Sequence, residues 1–214
     1  SELTSNKADK TSGLDKGYAM DWSYGAAESF NIMIPNLMGG SSSGGALGTD
    51  SKTYDILKQN FGYTSNQAEQ LVSQLPTYWG PQPMTSGPVY IGAIVVFLFI
   101  FGLFAVKGSE KWALLIVTIL SIALAMGHNC LWLSDFFLNY FPGYNKFRTV
   151  SMTLYIAEVT MPLLAFMALK KVYDGSLDSK QFNIAFKWSL GIAGGISLMF
   201  LLLGGAIFNF TGEI

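Results

Sequence analysis

The chain has 214 residues, half of them hydrophobic, 14% aromatic and only 13% charged. That charge fraction is about half that of a soluble domain, and 13 basic residues nearly cancel 14 acidic ones, which excludes intrinsic disorder and a nucleic-acid binder. One cysteine, Cys130, and one histidine, His128, exclude an intramolecular disulfide, a Cys-rich cluster and a multi-histidine metal centre, leaving a membrane protein whose motifs call for no metal and no cofactor.

Residues 1–87 carry most of the acids and no long apolar run. Ser1 to Gly17 lack the apolar core of an export signal, and the sequence reads as an internal section of a longer protein. The run Gly39-Gly-Ser-Ser-Ser-Gly-Gly45 lacks the Lys-Ser/Thr of a phosphate-binding loop and reads as a flexible loop. Asp50 is placed to cap a helix over 51–60 that Gly62 ends, and Thr64 with Gln67 has capping-box spacing for a second helix stopping before Pro76. Both are short and are expected to lie on the membrane part of the chain.

Four apolar stretches follow, about 88–106, 112–133, 149–169 and 188–210. Each approaches the 20 or so residues that cross about 30 Å of hydrocarbon. The expected fold is therefore mainly α: a polytopic membrane protein with four transmembrane helices and an irregular, partly helical extracytoplasmic region over 1–87. Lys107, Lys111, Lys170, Lys171, Lys180 and Lys187 fall in connections 1–2 and 3–4, against Lys146 and Arg148 in connection 2–3. The excess of lysine places the first set in the cytoplasm and residues 1–87 and 134–148 outside.

Few residues could carry chemistry. Glu158 sits near the middle of the third stretch, where a charge is expensive and marks either a site or a helix-fastening hydrogen bond. His128, beside Asn129, lies nearer the outer surface and has the same two readings. Arg148, the single arginine, follows Phe141-Pro-Gly-Tyr144-Asn-Lys146-Phe. There its planar fork could grip a phosphate together with Lys146, or both cations could simply snorkel to the headgroups. Of the outward acids Asp21, Glu28, Asp50, Asp55, Glu69 and Asp135, Asp135 is nearest the membrane surface. Gly191-x-x-x-Gly195 permits close helix packing.

Three segments in order carry a resemblance: Trp22-Ser-Tyr-Gly-Ala-Ala-Glu28 running on to Ile34-Pro-Asn36 and Gly39-Gly40; Tyr78-Trp79-Gly-Pro-Gln-Pro-Met-Thr-Ser-Gly-Pro-Val-Tyr90; and Phe141-Pro-Gly-Tyr-Asn-Lys-Phe-Arg-Thr-Val-Ser151. Together they resemble the YfhO family of bacterial integral membrane proteins, in its Bacteroidetes form, most clearly over residues 13–170. The resemblance implies the C-type glycosyltransferase superfold, a much longer parent chain whose remaining helices would be partners, and a place in the bacterial cytoplasmic membrane. It also implies transfer of a sugar from a polyprenyl-phosphate donor to a glycan or lipid acceptor on the extracytoplasmic side. Arg148 and Lys146 would then neutralise the departing phosphate, while Tyr78, Trp79 and Tyr144 would stack on sugar or hold the prenyl chain. The superfold's usual catalytic acid belongs to an earlier loop that has no counterpart here, so no catalytic residue is carried over. Two other classes stand beside this one: a transporter or flippase using Glu158 and His128, and a non-catalytic scaffold subunit of a membrane complex.

Overall fold

The computed structural model describes residues 16–45, 47–146 and 149–208, and among them regular structure is helical, with no strand. After a short first helix, α1 (Lys16–Met20), the chain runs through a 3-10 turn at Glu28–Ile32 to a pair of helices, α2 (Lys52–Asn60) and α3 (Ser65–Gln74). Ser51, not Asp50, caps α2: its Oγ accepts the Tyr54 N–H at 3.3 Å. Gly62, at φ +68°, takes the left-handed turn beyond its end. At the start of α3, Gln67 Oε1 accepts both the N–H and the hydroxyl of Thr64, at 3.1 and 2.8 Å.

The apolar stretches fold less uniformly than their composition suggests. Helix α4 covers only Ala93–Ala105, about 20 Å at 1.5 Å per residue. The residues before it are committed elsewhere. Val89 N–H donates to Tyr24 Oη, and Ile91 and Gly92 N–H both donate to the Ile32 carbonyl. The second stretch breaks in two. Helix α5 (Glu110–Ala125) is followed by a 3-10 turn at Gly127–Cys130 and then α6 (Leu131–Tyr140), with the axis bent by 119°.

Helix α7 (Leu154–Tyr173), entered through a turn at Val150–Thr153, is long and apolar enough to cross a membrane. So is the continuous run of α8 (Ser179–Ser189), a π-turn at Leu190–Gly194 and α9 (Gly195–Ile207). Among the described residues there are thus two helices of spanning length, or three if the bent α5–α6 pair counts as one, where the sequence reading gives four. The last helix starts well before residue 188 because Asp178 caps it, accepting the Gln181 N–H. Lys180 and Lys187 are therefore helical.

Helix α4 packs between α7 and α8, and α5 packs on α7. Phe99, Phe101, Leu154, Met161 and Leu164 fill the core. Small residues let the backbones close up: Ala157, Ala168 and Ala185 are fully buried, and a Cβ on Gly102 would lie 2.8 Å from Leu164 Cγ. Hydroxyls fasten α5 to the start of α7. Thr118 and Thr160 share a 2.7 Å bond; Ser121 Oγ donates to the Thr153 carbonyl while Thr153 Oγ1 donates back to that of Ser121. Gly191 and Gly195, by contrast, have no atom within 4 Å of where a Cβ would sit. The close packing expected of them is made by Gly102 instead.

The two ends of this bundle differ. Tyr24 N–H donates to the Ala125 carbonyl at the end of α5, while its hydroxyl holds Val89 just before α4. The start of α4, the end of α5 and the start of α7 thus share one end, covered by residues 20–40. The opposite end gathers Lys107, Lys111, Lys170, Lys171 and Lys180 at the end of α4, the start of α5, the end of α7 and the start of α8.

Candidate functional site

The covering region is organised around one acid. Glu28 is 0% exposed. Its Oε1 accepts the Tyr78 hydroxyl and the Gln82 amide, both at 2.7 Å, and its Oε2 accepts the Gly25 N–H at 3.1 Å. Tyr78 Oη in turn accepts the Gln82 backbone N–H at 3.1 Å. Burial pushes the Glu28 carboxyl above the ordinary range, and the bonds from Tyr78, Gly25 and Gln82 pull it partly back. Burial likewise raises Tyr78, and drives Tyr24 up to about 12, the carboxylates of Glu28 and Glu158 adding to the effect there.

This cluster joins the 24–28 loop to the 78–82 loop. The glycine-serine run, expected to be a free loop, is stitched to the same structure. The Ser41 carbonyl accepts from Thr77 N–H at 2.9 Å, and Ser42 Oγ accepts the Thr85 N–H at 2.8 Å. Gly39, at φ +78°, lies so close to the Thr77 carbonyl that no side chain fits there. Below, the 20–24 segment grips the corner after α5. His128 N–H donates to Ser23 Oγ at 3.0 Å, His128 Nδ1 lies 3.2 Å from the Met20 carbonyl, and Asn129 donates to the Tyr24 carbonyl at 2.9 Å. His128 is thus engaged by residues 20–23 of the loop cap.

Of the remaining residues singled out in the sequence, Tyr78 is buried inside the Glu28 cluster, while Trp79 next to it is half-buried and meets Phe208 at 5.5 Å. Phe208 stacks on Phe200 of α9, which also meets Phe30, so an aromatic chain ties the cap to the last helix. Asp135 is half-buried on α6. Tyr144 is buried against Leu124, Leu133 and Phe137, and burial pushes its hydroxyl up to about 12. Lys146 is exposed at the end of the turn Tyr144–Lys146. Arg148 lies outside the described residues. Glu158 is half-buried on α7, its charge reaching the Tyr24 hydroxyl. Pro162 removes the N–H that would bond the Glu158 carbonyl.

The structure therefore brings Tyr78 and Trp79 to the cap, and gathers Asp135, Tyr144 and Lys146 on α6 and the turn behind it. Glu28 stood in the sequence only as one outward acid among six. Gln82, Tyr24 and Ser23, which complete the network, carried no signal beyond lying in aromatic, turn-rich stretches. Comparison with protein-family models, curated proteins and solved structures gives no match to this chain.

Proposed function

We propose that this chain is part of an integral membrane glycosyltransferase-like protein, one that transfers a sugar from a polyprenyl-phosphate donor on the extracytoplasmic side of a bacterial cytoplasmic membrane. The observation that supports this reading best is the ordered loop cap at the bundle end opposite the lysines. An excess of lysine marks a cytoplasmic end, so the cap faces outward, where a lipid-linked donor presents its headgroup. In the reaction an acceptor hydroxyl attacks the sugar's anomeric carbon, the bond from that carbon to phosphate oxygen breaks, and polyprenyl phosphate leaves with the electron pair. Lys146, and Arg148 two residues on in the sequence, supply fixed positive charge for that phosphate. Trp79, half-buried at the cap, supplies aromatic surface; Tyr144, buried against Leu124 and Leu133, supports α6 and the turn instead. The base that takes the acceptor's proton is not assigned to this chain.

Native mass spectrometry of the protein purified with its lipids, together with a transfer assay, tests the proposal. The expected result is a retained adduct with the mass of a polyprenyl-phosphate sugar, lost in Arg148→Ala, and turnover that falls in Arg148→Lys without loss of folding. No such adduct, or one indifferent to Arg148, overturns it. Flux that is abolished by Glu158→Gln and indifferent to Arg148→Lys replaces it with transport.

A further inference from the structure

Helix α6 is ten residues long, about 15 Å, half of what a span requires. One face is packed: Leu133 and Ser134 are buried, and Phe137 and Leu138 lie with them against Leu124 and Tyr144. The other face points away from the protein. Trp132 is 75% and Tyr140 76% exposed, with Leu131 and Phe136 more than half exposed between them. Residues 132, 136 and 140 are spaced by four and form one stripe.

Three observations identify what covers that stripe. Its composition of Trp, Phe, Tyr and Leu suits the boundary between headgroups and acyl chains, where an amphipathic ring keeps its polar edge wet. Its level is that boundary, because Gly127, at the start of the corner, packs on Val150 just before α7, at the end where Tyr90 and Tyr155 are also exposed. Its direction is more across than along the bundle, since a 119° bend leaves the α6 axis about 60° from that of α5. Ile116 and Ile119 of α5 and Val159 and Phe166 of α7 are exposed too.

From this geometry we infer that α6 lies in the membrane interface, with Trp132, Phe136 and Tyr140 inserted shallowly among phospholipid headgroups and upper acyl chains. It serves as an in-plane anchor and not as half of a span. The inference rests on the membrane character of the chain and is independent of the sugar-transfer reading.

The test uses the full chain in phosphatidylcholine vesicles, in a Cys130→Ala background, with a nitroxide label at Trp132→Cys, Phe136→Cys and Tyr140→Cys in turn. Relaxation by oxygen and by a water-soluble nickel chelate reports the depth of each label. The expected result is oxygen accessibility at all three, with depths that differ by no more than about 6 Å from the first label to the last. A depth that changes by about 6 Å from each label to the next, as four residues of a membrane-crossing helix would give, overturns the inference. Labels shielded from both reagents mean that a protein surface covers α6, and labels open to nickel mean water; either result overturns it too. Should a labelled variant fail to fold, the unlabelled chain carries the test. The fluorescence lost in Trp132→Phe should be quenched more strongly by lipid brominated near the headgroup than near the chain ends, and the reverse order overturns the inference.

Discussion

The hydroxyl of Tyr78 and the side-chain amide of Gln82 meet on the same oxygen of Glu28, each at 2.7 Å, from 50 and 54 residues along the chain. A carboxylate offers acceptors to every donor around it; a glutamine at this site would turn its amide N–H toward one of them. Glu28→Gln is expected to lower stability by about 1–2 kcal/mol, the usual cost of leaving a buried donor unpaired. Thermal unfolding in detergent, followed by near-UV circular dichroism of the cap's Tyr and Trp residues, measures it.

The same acid gives the cap a pH dependence of definite sign. Burial raises the Glu28 carboxyl in the folded state above its unfolded value, so folding takes up a proton. Its contribution is complete below an unfolded value of about 4.3 and is lost as pH rises through the higher folded value. The melting temperature of the native chain should fall relative to that of Glu28→Gln as pH rises from about 4 toward neutrality. Parallel curves would remove Glu28 as the cause.

Gly127 combines φ +47° with Ser23 Oγ 2.0 Å from where a Cβ would be and Val150 Cγ2 2.8 Å from it. Gly127→Ala should cost more than about 2 kcal/mol, through backbone strain and overpacking together. Adding Ser23→Gly should restore part of the loss, because it removes one clash and leaves the other. A double-mutant cycle on thermal stability reads the difference.

The two kinds of glycine should separate cleanly. Gly102→Val drives a branched side chain into Leu164 of α7 and should cost about 1–3 kcal/mol. Gly191→Ala and Gly195→Ala meet nothing within 4 Å and should leave the stability of this chain unchanged or slightly higher. Melting curves of the three variants side by side decide it.

Thr118 and Thr160 share the 2.7 Å hydroxyl bond between α5 and α7. Replacing both by Val in a double-mutant cycle should give a coupling near 0.6 kcal/mol, the modest worth of such bonds between membrane helices. Thr118→Val alone should shift unfolding only slightly, since Thr160 can turn its hydroxyl to its own helix backbone.

What could be read from the sequence was what neighbouring residues decide. The Thr64–Gln67 box and Gly62 delimit α2 and α3 within a residue or so of where they lie, and the apolar stretches become helices. Partners distant in sequence set the rest. Nothing near Pro88 announces that Val89, Ile91 and Gly92 bond to Tyr24 and Ile32, so α4 is shorter than its apolar run. Nothing near Gly127 announces a bend, since the groups freed there are taken by Ser23 and Tyr24, about a hundred residues earlier. One local signal was readable and missed: Asp178 followed by Gln181 is a helix start. At the candidate site, the resembling segments contain Tyr78, Trp79 and Glu28, but nothing in them announces the role of Glu28, which depends on two loops meeting.

The corner at Gly127 also bears on the order in which the molecule assembles. Without it, Glu110 to Tyr140 would form one straight apolar helix of about 46 Å at 1.5 Å per residue, well beyond the roughly 30 Å of hydrocarbon. The groups that complete the corner come from residues 20–24, which are synthesised before any of the apolar helices. A segment made first therefore fixes the shape of one made later, and it can do so only when the two lie at the same end of the bundle. Arrival of that segment at the corner precedes the folding-back of α6, making the bend a checkpoint in biogenesis.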